Sequence, residues 1–167
     1  MLGVDILIFV ILGTQDKTFP RLLDAVQKQI DLGNISKEEE IIVQAGSTKY
    51  NSKDMQVMDY IDVERFNELM EKADLIISHA GVGTILTALE KDKKVIAAAR
   101  LKKYGEHVND HQKQILENFK NAGYILALEN FDKLNELIEE SKKFVPKRIK
   151  SNKKFFLSQL ENEIEKN

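Results

Sequence analysis

Apolar residues along this chain alternate between two textures: short, nearly continuous runs and longer stretches with helical spacing. The run 6–12 (ILIFVIL) reads as a strand buried on both faces. After Gly13-Thr14-Gln15 comes Pro20, suited to a first helical turn, with apolar residues recurring at 22, 23, 26 and 30. Further strands are predicted over 41–45, 75–79, 95–99 and 124–128, with a weaker one over 55–61. Helices are predicted over 63–72, where Asp62 is the cap, and over 83–91, 109–122 and 131–142. Strand–helix alternation of this kind implies a doubly wound, Rossmann-like α/β domain, its parallel sheet covered on both faces. Ligands of such sheets sit beyond the carboxyl ends of the strands, which singles out the loops 13–19, 79–83 and 100–112.

Composition narrows the picture. The 167 residues have the length of one domain and suffice for a core without staples. That length is short for a two-substrate enzyme on an α/β fold. The absence of Cys excludes a disulfide scaffold, a Cys-ligated metal site and a cysteine nucleophile. A formal net charge of −2, from 25 basic and 27 acidic residues, argues against binding duplex nucleic acid by phosphate neutralisation. Residues 1–12 form the longest apolar run, too short for the roughly 20 residues of a membrane-spanning helix and interrupted by Asp5. Without a basic segment before it or a cleavage site after it, the run is expected to be the first strand of a cytoplasmic protein. Residues 1–142 are expected to form the domain. The rest, 143–167, is expected to be a basic, then amphipathic, helical extension that packs back on the body or faces a partner or anionic lipid.

Three clusters carry candidate chemistry. Ser78-His79-Ala80-Gly81-Val82-Gly83-Thr84 places a small-residue turn between a strand end and a helix start. Its glycines admit close backbone approach, and free N–H groups of the first helical turn attract phosphate. It lacks the third glycine of a dinucleotide fingerprint and the Gly-Lys-Ser/Thr of a Walker loop, and a tight strand-to-helix turn with no ligand is the alternative. The loop from Arg100 to Gln112 concentrates hydrogen-bonding side chains: Arg100, Tyr104, Glu106, His107, Asn109, Asp110, His111 and Gln112. Asn109 or Asp110 would serve as a plain helix cap. Every histidine of the chain (79, 107 and 111) falls in these two clusters, which favours a ligand site. Metal binding by these histidines is the competing use, but His107 and His111 straddle the expected helix start instead of pairing on one helix face, and no Asp-x-Asp is present. A Ser–His–Asp hydrolase lacks its Gly-x-Ser-x-Gly elbow. Gly13-Thr14-Gln15 is a weaker third signal, able to hydrogen-bond phosphate or sugar.

Taken in order, three segments resemble the C-terminal domain of family 28 glycosyltransferases: Leu12-Gly13-Thr14-Gln15 with Phe19 and Arg21-Leu22-Leu23, the segment Ile77 to Thr84, and Arg100 to Gln112. Within the family the likeness is to the small catalytic subunits of two-component capsule or exopolysaccharide transferases. It extends to the cytosolic subunit of the transferase that adds the second N-acetylglucosamine to dolichol-linked sugar. The resemblance implies the donor-binding half of a GT-B enzyme that uses a UDP-sugar, inverts the anomeric centre and needs no metal or other cofactor. A membrane-associated partner subunit would bind the lipid-linked saccharide acceptor and hold this chain at the cytoplasmic membrane face. Gly81, Val82, Gly83 and Thr84 would meet the diphosphate, His111 and Gln112 would reach the sugar, and Gly13, Thr14 and Gln15 would line the cleft. Arg100 or a protonated His79 would stabilise the departing UDP, making them the catalytic candidates. Tyr104, Glu106 and His107 complete the expected nucleotide-sugar contacts. Where relatives place a ribose-gripping acid, this chain has Thr87, so Glu90 or no acid would serve; the general base is not evident. A non-catalytic nucleotide-binding or scaffolding subunit, and a stand-alone UDP-sugar enzyme such as an epimerase, are the competing functions.

Overall fold

The computed structural model describes residues 6–149 together with Lys154, Leu157 and Ser158. Among the described residues, six strands form one all-parallel sheet: β1 (Leu7–Ile11), β2 (Glu40–Gln44), β3 (Gln56–Met58), β4 (Leu75–His79), β5 (Val95–Ala98) and β6 (Leu126–Ala127). Their spatial order is β3-β2-β1-β4-β5-β6. Between or after the strands lie the α-helices α1 (Pro20–Asp31), α2 (Val63–Lys72), α3 (Val82–Glu90), α4 (His111–Asn121) and α5 (Leu134–Ser141).

The unbroken apolar run at 6–12 follows from burial on both faces. Successive strand side chains point to opposite sides. Leu7, Phe9 and Ile11 pack in one core layer with Leu69 and Met70 of α2, Ile85 and Leu89 of α3, and Ile115 and Phe119 of α4. Ile8, Val10 and Leu12 pack in the other with Leu22, Leu23, Val26 and Ile30 of α1 and Leu134 of α5. Helix starts follow local chemistry as well. Pro20 occupies the first turn of α1, and the buried Thr48 hydroxyl accepts the Phe19 N–H at 2.9 Å. Asp62 caps α2 by accepting the Arg65 N–H at 2.9 Å.

Some boundaries differ from the sequence expectation. The strand expected over 124–128 pairs only at Leu126–Ala127, as an edge strand beyond β5. The helix expected over 131–142 opens with a 3-10 turn, Phe131–Lys133, because Asn130 accepts the Asp132 N–H and tightens the entry. The helix expected from residue 109 begins at His111, since the Asn109 side chain accepts the His111 N–H at 3.0 Å in a local turn. Residues 143–149 run without helix, Lys154, Leu157 and Ser158 are helical, and the remainder of the expected extension lies outside the described residues.

From β1 the chain winds outward through β2 and β3, then returns to β4 on the other side of β1 and winds away through β5 and β6. The loops after β1 and β4 therefore diverge, and a crevice opens between them at the carboxyl edge of the sheet.

Candidate functional site

A cleft of about 410 Å³ occupies that crevice. It is lined by Gly13, Thr14 and Gln15 from the loop after β1, and by His79, Gly81, Gly83 and Thr84 from the end of β4 and the start of α3. Gln44, Ile61, Val63 and Phe66 close it from the α2 side. The first two groups were legible as motifs. The third was not, because the sequence marked 63–72 only as a helix, whereas Val63 is 77% exposed at the rim. The topological rule that marks strand ends would have found them, since Gln44 ends β2 and its side chain accepts the Ile61 N–H at 3.0 Å.

The floor of the cleft is His79, the last residue of β4 and only 6% exposed. Its ring sits against Gly13 and Gly81. A Cβ on Gly13 would come within 2.7 Å of His79 Nε2, and one on Gly81 within 2.2 Å of His79 Cε1. Gly13 also has φ +83°, a left-handed conformation that favours glycine. Gly81 is the N-cap of α3, and no atom stands within 4 Å of a Cβ built on Gly83. The first turn of α3 thus presents unhindered backbone N–H groups to the cleft.

Burial lowers the His79 pKa to about 4, and the nearby Arg100 guanidinium adds to the effect. His79 is neutral at physiological pH, so the expected protonated imidazole is corrected to an uncharged one. Burial, followed by Arg100 and His111, also lowers the pKa of His107.

Arg100, Glu106 and Gln112, expected among the ligand contacts, lie beneath the cleft. Arg100 is 1% exposed, and its guanidinium donates to the carbonyls of Leu12, Lys17 (2.8 Å) and Glu106 (3.3 Å). Its Nε has no hydrogen-bond partner among the described residues, and the guanidinium lies over the Phe19 ring, 5.2 Å from the centroid. Glu106 takes a two-pronged contact from Arg21, at 3.0 and 2.8 Å, and accepts the Leu101 N–H at 3.0 Å. These bonds tie the loop after β5 to the end of β1 and the start of α1. They give both residues a supporting role, with the Arg100 charge held below the floor. Gln112, buried at 3%, bridges the Arg100 backbone N–H (3.1 Å) and His79 Nδ1 (3.2 Å).

The remaining loop residues are at the rim or beyond it. His107 is half-buried, with Nε2 3.4 Å from the Gln15 amide, so this loop meets the loop after β1 there. His111 is the first residue of α4 and half-buried. Tyr104 is exposed and stacks on the Arg21 guanidinium at 4.3 Å, away from the cleft. Val82 is half-buried at the start of α3. The Thr87 hydroxyl donates back to the Gly83 carbonyl at 2.9 Å. Asp110, a candidate cap, accepts the Lys102 N–H at 2.9 Å and so pins the loop.

A sequence model of the glycosyltransferase family 28 C-terminal domain matches residues 7–166. Two curated proteins described as UDP-N-acetylglucosamine transferase subunit ALG13 are similar to this chain. That of Candida glabrata is 32% identical over 98 residues, covering 58% of this chain and 46% of the relative. That of Candida albicans is 28% identical over 81 residues, covering 48% and 26%. The chain therefore spans less than half the length of either. Among solved structures, the solution structure of ALG13 aligns at TM-score 0.55 and 20% identity, covering 85% of this chain and 89% of that one. The calicheamicin glycosyltransferase CalG4 aligns at TM-score 0.59 and 13% identity, with 81% of this chain and 34% of that one covered. MurG of Acinetobacter baumannii aligns at 0.55 and 16%, with 85% and 44% covered. At these identities the structural likeness speaks for the fold.

Proposed function

The chain belongs to the glycosyltransferase family 28 C-terminal domain family, and from that premise we propose that it binds a UDP-sugar as the donor half of an inverting, metal-independent glycosyltransferase. The observation that carries the reading is the cleft at the β1/β4 divergence, where Gly13, His79 and the first turn of α3 converge. Helix N–H groups at Gly83 and Thr84 suit a diphosphate. The apolar wall of Ile61, Val63 and Phe66 suits a flat base. That division leaves the sugar to the rim made by Gln15, His107 and His111.

In the proposed reaction an acceptor hydroxyl attacks the anomeric carbon opposite the leaving UDP. The bond from that carbon to the diphosphate oxygen breaks, and the hydroxyl proton passes to a general base. Negative charge grows on the diphosphate, where preorganised N–H donors stabilise it without the cost of reorienting solvent. The Arg100 charge below the floor acts in the same direction. We assign the base and the acceptor site to a separate membrane-associated subunit. The word "subunit" in the description of both curated relatives supports this assignment. Their named donor makes UDP-N-acetylglucosamine the first sugar nucleotide to test. Surface-polysaccharide synthesis on a lipid-linked saccharide, at the cytoplasmic membrane face, is the proposed setting. No helix among the described residues is long and apolar enough to cross a membrane.

The test is a thermal-shift screen against UDP, UDP-sugars and other nucleotide sugars, followed by transfer to a lipid-linked acceptor with the partner co-expressed. Ligand at a hundredfold excess over Kd stabilises by about 2.7 kcal/mol. In a chain of this size that raises Tm by roughly 5–10 °C. A shift for UDP-sugars and transfer only with the partner are expected. No shift for any of them would overturn the reading, and turnover of a UDP-sugar by this chain alone would replace it with an epimerase-type enzyme.

A further inference from the structure

The bond between Gln112 and His79 determines where the imidazole keeps its proton. Gln112 Oε1 accepts the Arg100 backbone N–H at 3.1 Å, so the amide nitrogen is the end that faces His79 Nδ1, at 3.2 Å. Reversing the amide would set its NH₂ against the Arg100 N–H, two donors face to face in a buried place. An amide nitrogen only donates, so Nδ1 must accept. A neutral imidazole has one ring proton, which then resides on Nε2.

Among the described residues, Gln112 is the hydrogen-bond partner of Nδ1. Arg100 directs its guanidinium to the carbonyls of Leu12, Lys17 and Glu106. His107 uses Nδ1 to accept the Asn109 N–H at 3.3 Å and turns Nε2 toward Gln15. The protonated end of His79 lies at the two glycines, 2.7 Å from where a Cβ would stand on either Gly13 or Gly81.

We propose that Gln112 is a positioning residue that locks His79 as the Nε2–H tautomer, so that the cleft floor offers a fixed, uncharged N–H donor to an anionic oxygen. That the oxygen belongs to a diphosphate rests on the donor-binding reading; the lock itself does not. One consequence is that His79 cannot accept the acceptor's proton through Nε2, since that nitrogen already bears one.

The experiment is long-range ¹H–¹⁵N NMR of the His79 ring, without ligand, in the wild type, Gln112→Glu and Gln112→Met, with UDP titrated afterwards. The wild type is expected to have a bare Nδ1 and a protonated Nε2. Gln112→Glu keeps an acceptor for the Arg100 N–H but has no donor for His79, so Nδ1 should gain a proton. Gln112→Met should leave a mixture of tautomers. A proton on wild-type Nδ1, or ring spectra unchanged by either substitution, overturns the lock. The wild-type spectrum decides this even if a variant fails to fold. UDP affinity should fall roughly tenfold or more in Gln112→Glu, as for one lost hydrogen bond to a charged group. Equal UDP affinity despite a moved proton overturns the anion-donor role. Failure of UDP to bind the wild type overturns the donor-binding reading, while the ring spectra still decide the lock.

Discussion

Two glycines two positions apart, Gly81 and Gly83, should respond to the same substitution in opposite ways. In Gly81→Ala the new methyl would stand 2.2 Å from His79 Cε1 and 2.7 Å from Nε2. The ring cannot withdraw freely, because Gln112 holds Nδ1 from the other side. Gly81 has φ −86°, so the backbone is unstrained and the cost is over-packing alone. That cost is about 1–3 kcal/mol. In Gly83→Ala nothing lies within 4 Å of the methyl. Loss of glycine's freedom in the unfolded chain should then stabilise the fold by about 0.4–1 kcal/mol. The same methyl would project into the cleft, where it would keep a phosphate from the α3 N–H groups and lower UDP affinity roughly tenfold. Urea unfolding gives the stability of both variants, read as a shift in midpoint at constant slope. Calorimetric titration with UDP gives the affinity. A Gly81→Ala protein as stable as the wild type would refute the packing of His79. A Gly83→Ala protein that binds UDP undiminished would refute the helix-start cradle.

Other expectations follow from the supporting network. The folded pKa of His79, about 4, lies below the ordinary value near 6.5, so its contribution is full above pH ~6.5 and is lost as pH falls toward 4. On the order of 3 kcal/mol is involved, and His79→Gln should flatten this part of the stability–pH curve in urea unfolding. Glu106→Gln removes the charge partner of Arg21 and weakens the tie between the loop after β5 and α1. A loss of about 3 kcal/mol is expected by the same assay. Thr48→Val leaves the buried Phe19 N–H without its acceptor and should cost about 1–3 kcal/mol, with little change in UDP affinity.

The sheet was largely legible because its signals are local. The unbroken run 6–12, the glycine turn at 81–83 and the cap at Asp62 each report their own surroundings. What escaped was which polar side chains reach the cleft. Arg100 lies in a polar loop and reads as a ligand-binding cation. Its hydrogen bonds run to Leu12 and Lys17, 88 and 83 positions earlier in the chain. Arg21 and Glu106 are likewise 85 positions apart. No periodicity encodes such partners. Gln112 looked like a sugar contact for the same reason; both ends of its amide are engaged only once α4, β4 and β5 are assembled. The apolar α2 wall was hidden differently, since an exposed Val63 and a buried Leu69 look alike in a helical stripe.

Donor binding in the β1/β4 cleft is tested most directly by titrating the ¹⁵N-labelled chain with UDP-N-acetylglucosamine and other UDP-sugars while following backbone amides. Saturable shifts are predicted at Gly13, Ile61, Gly81, Gly83 and Thr84, the residues that border the cleft. Donor binding in this cleft is contradicted if no UDP-sugar moves these amides at millimolar concentration. It is equally contradicted if the shifts gather instead at the separate hollow bounded by Arg21, Leu116 and Phe131.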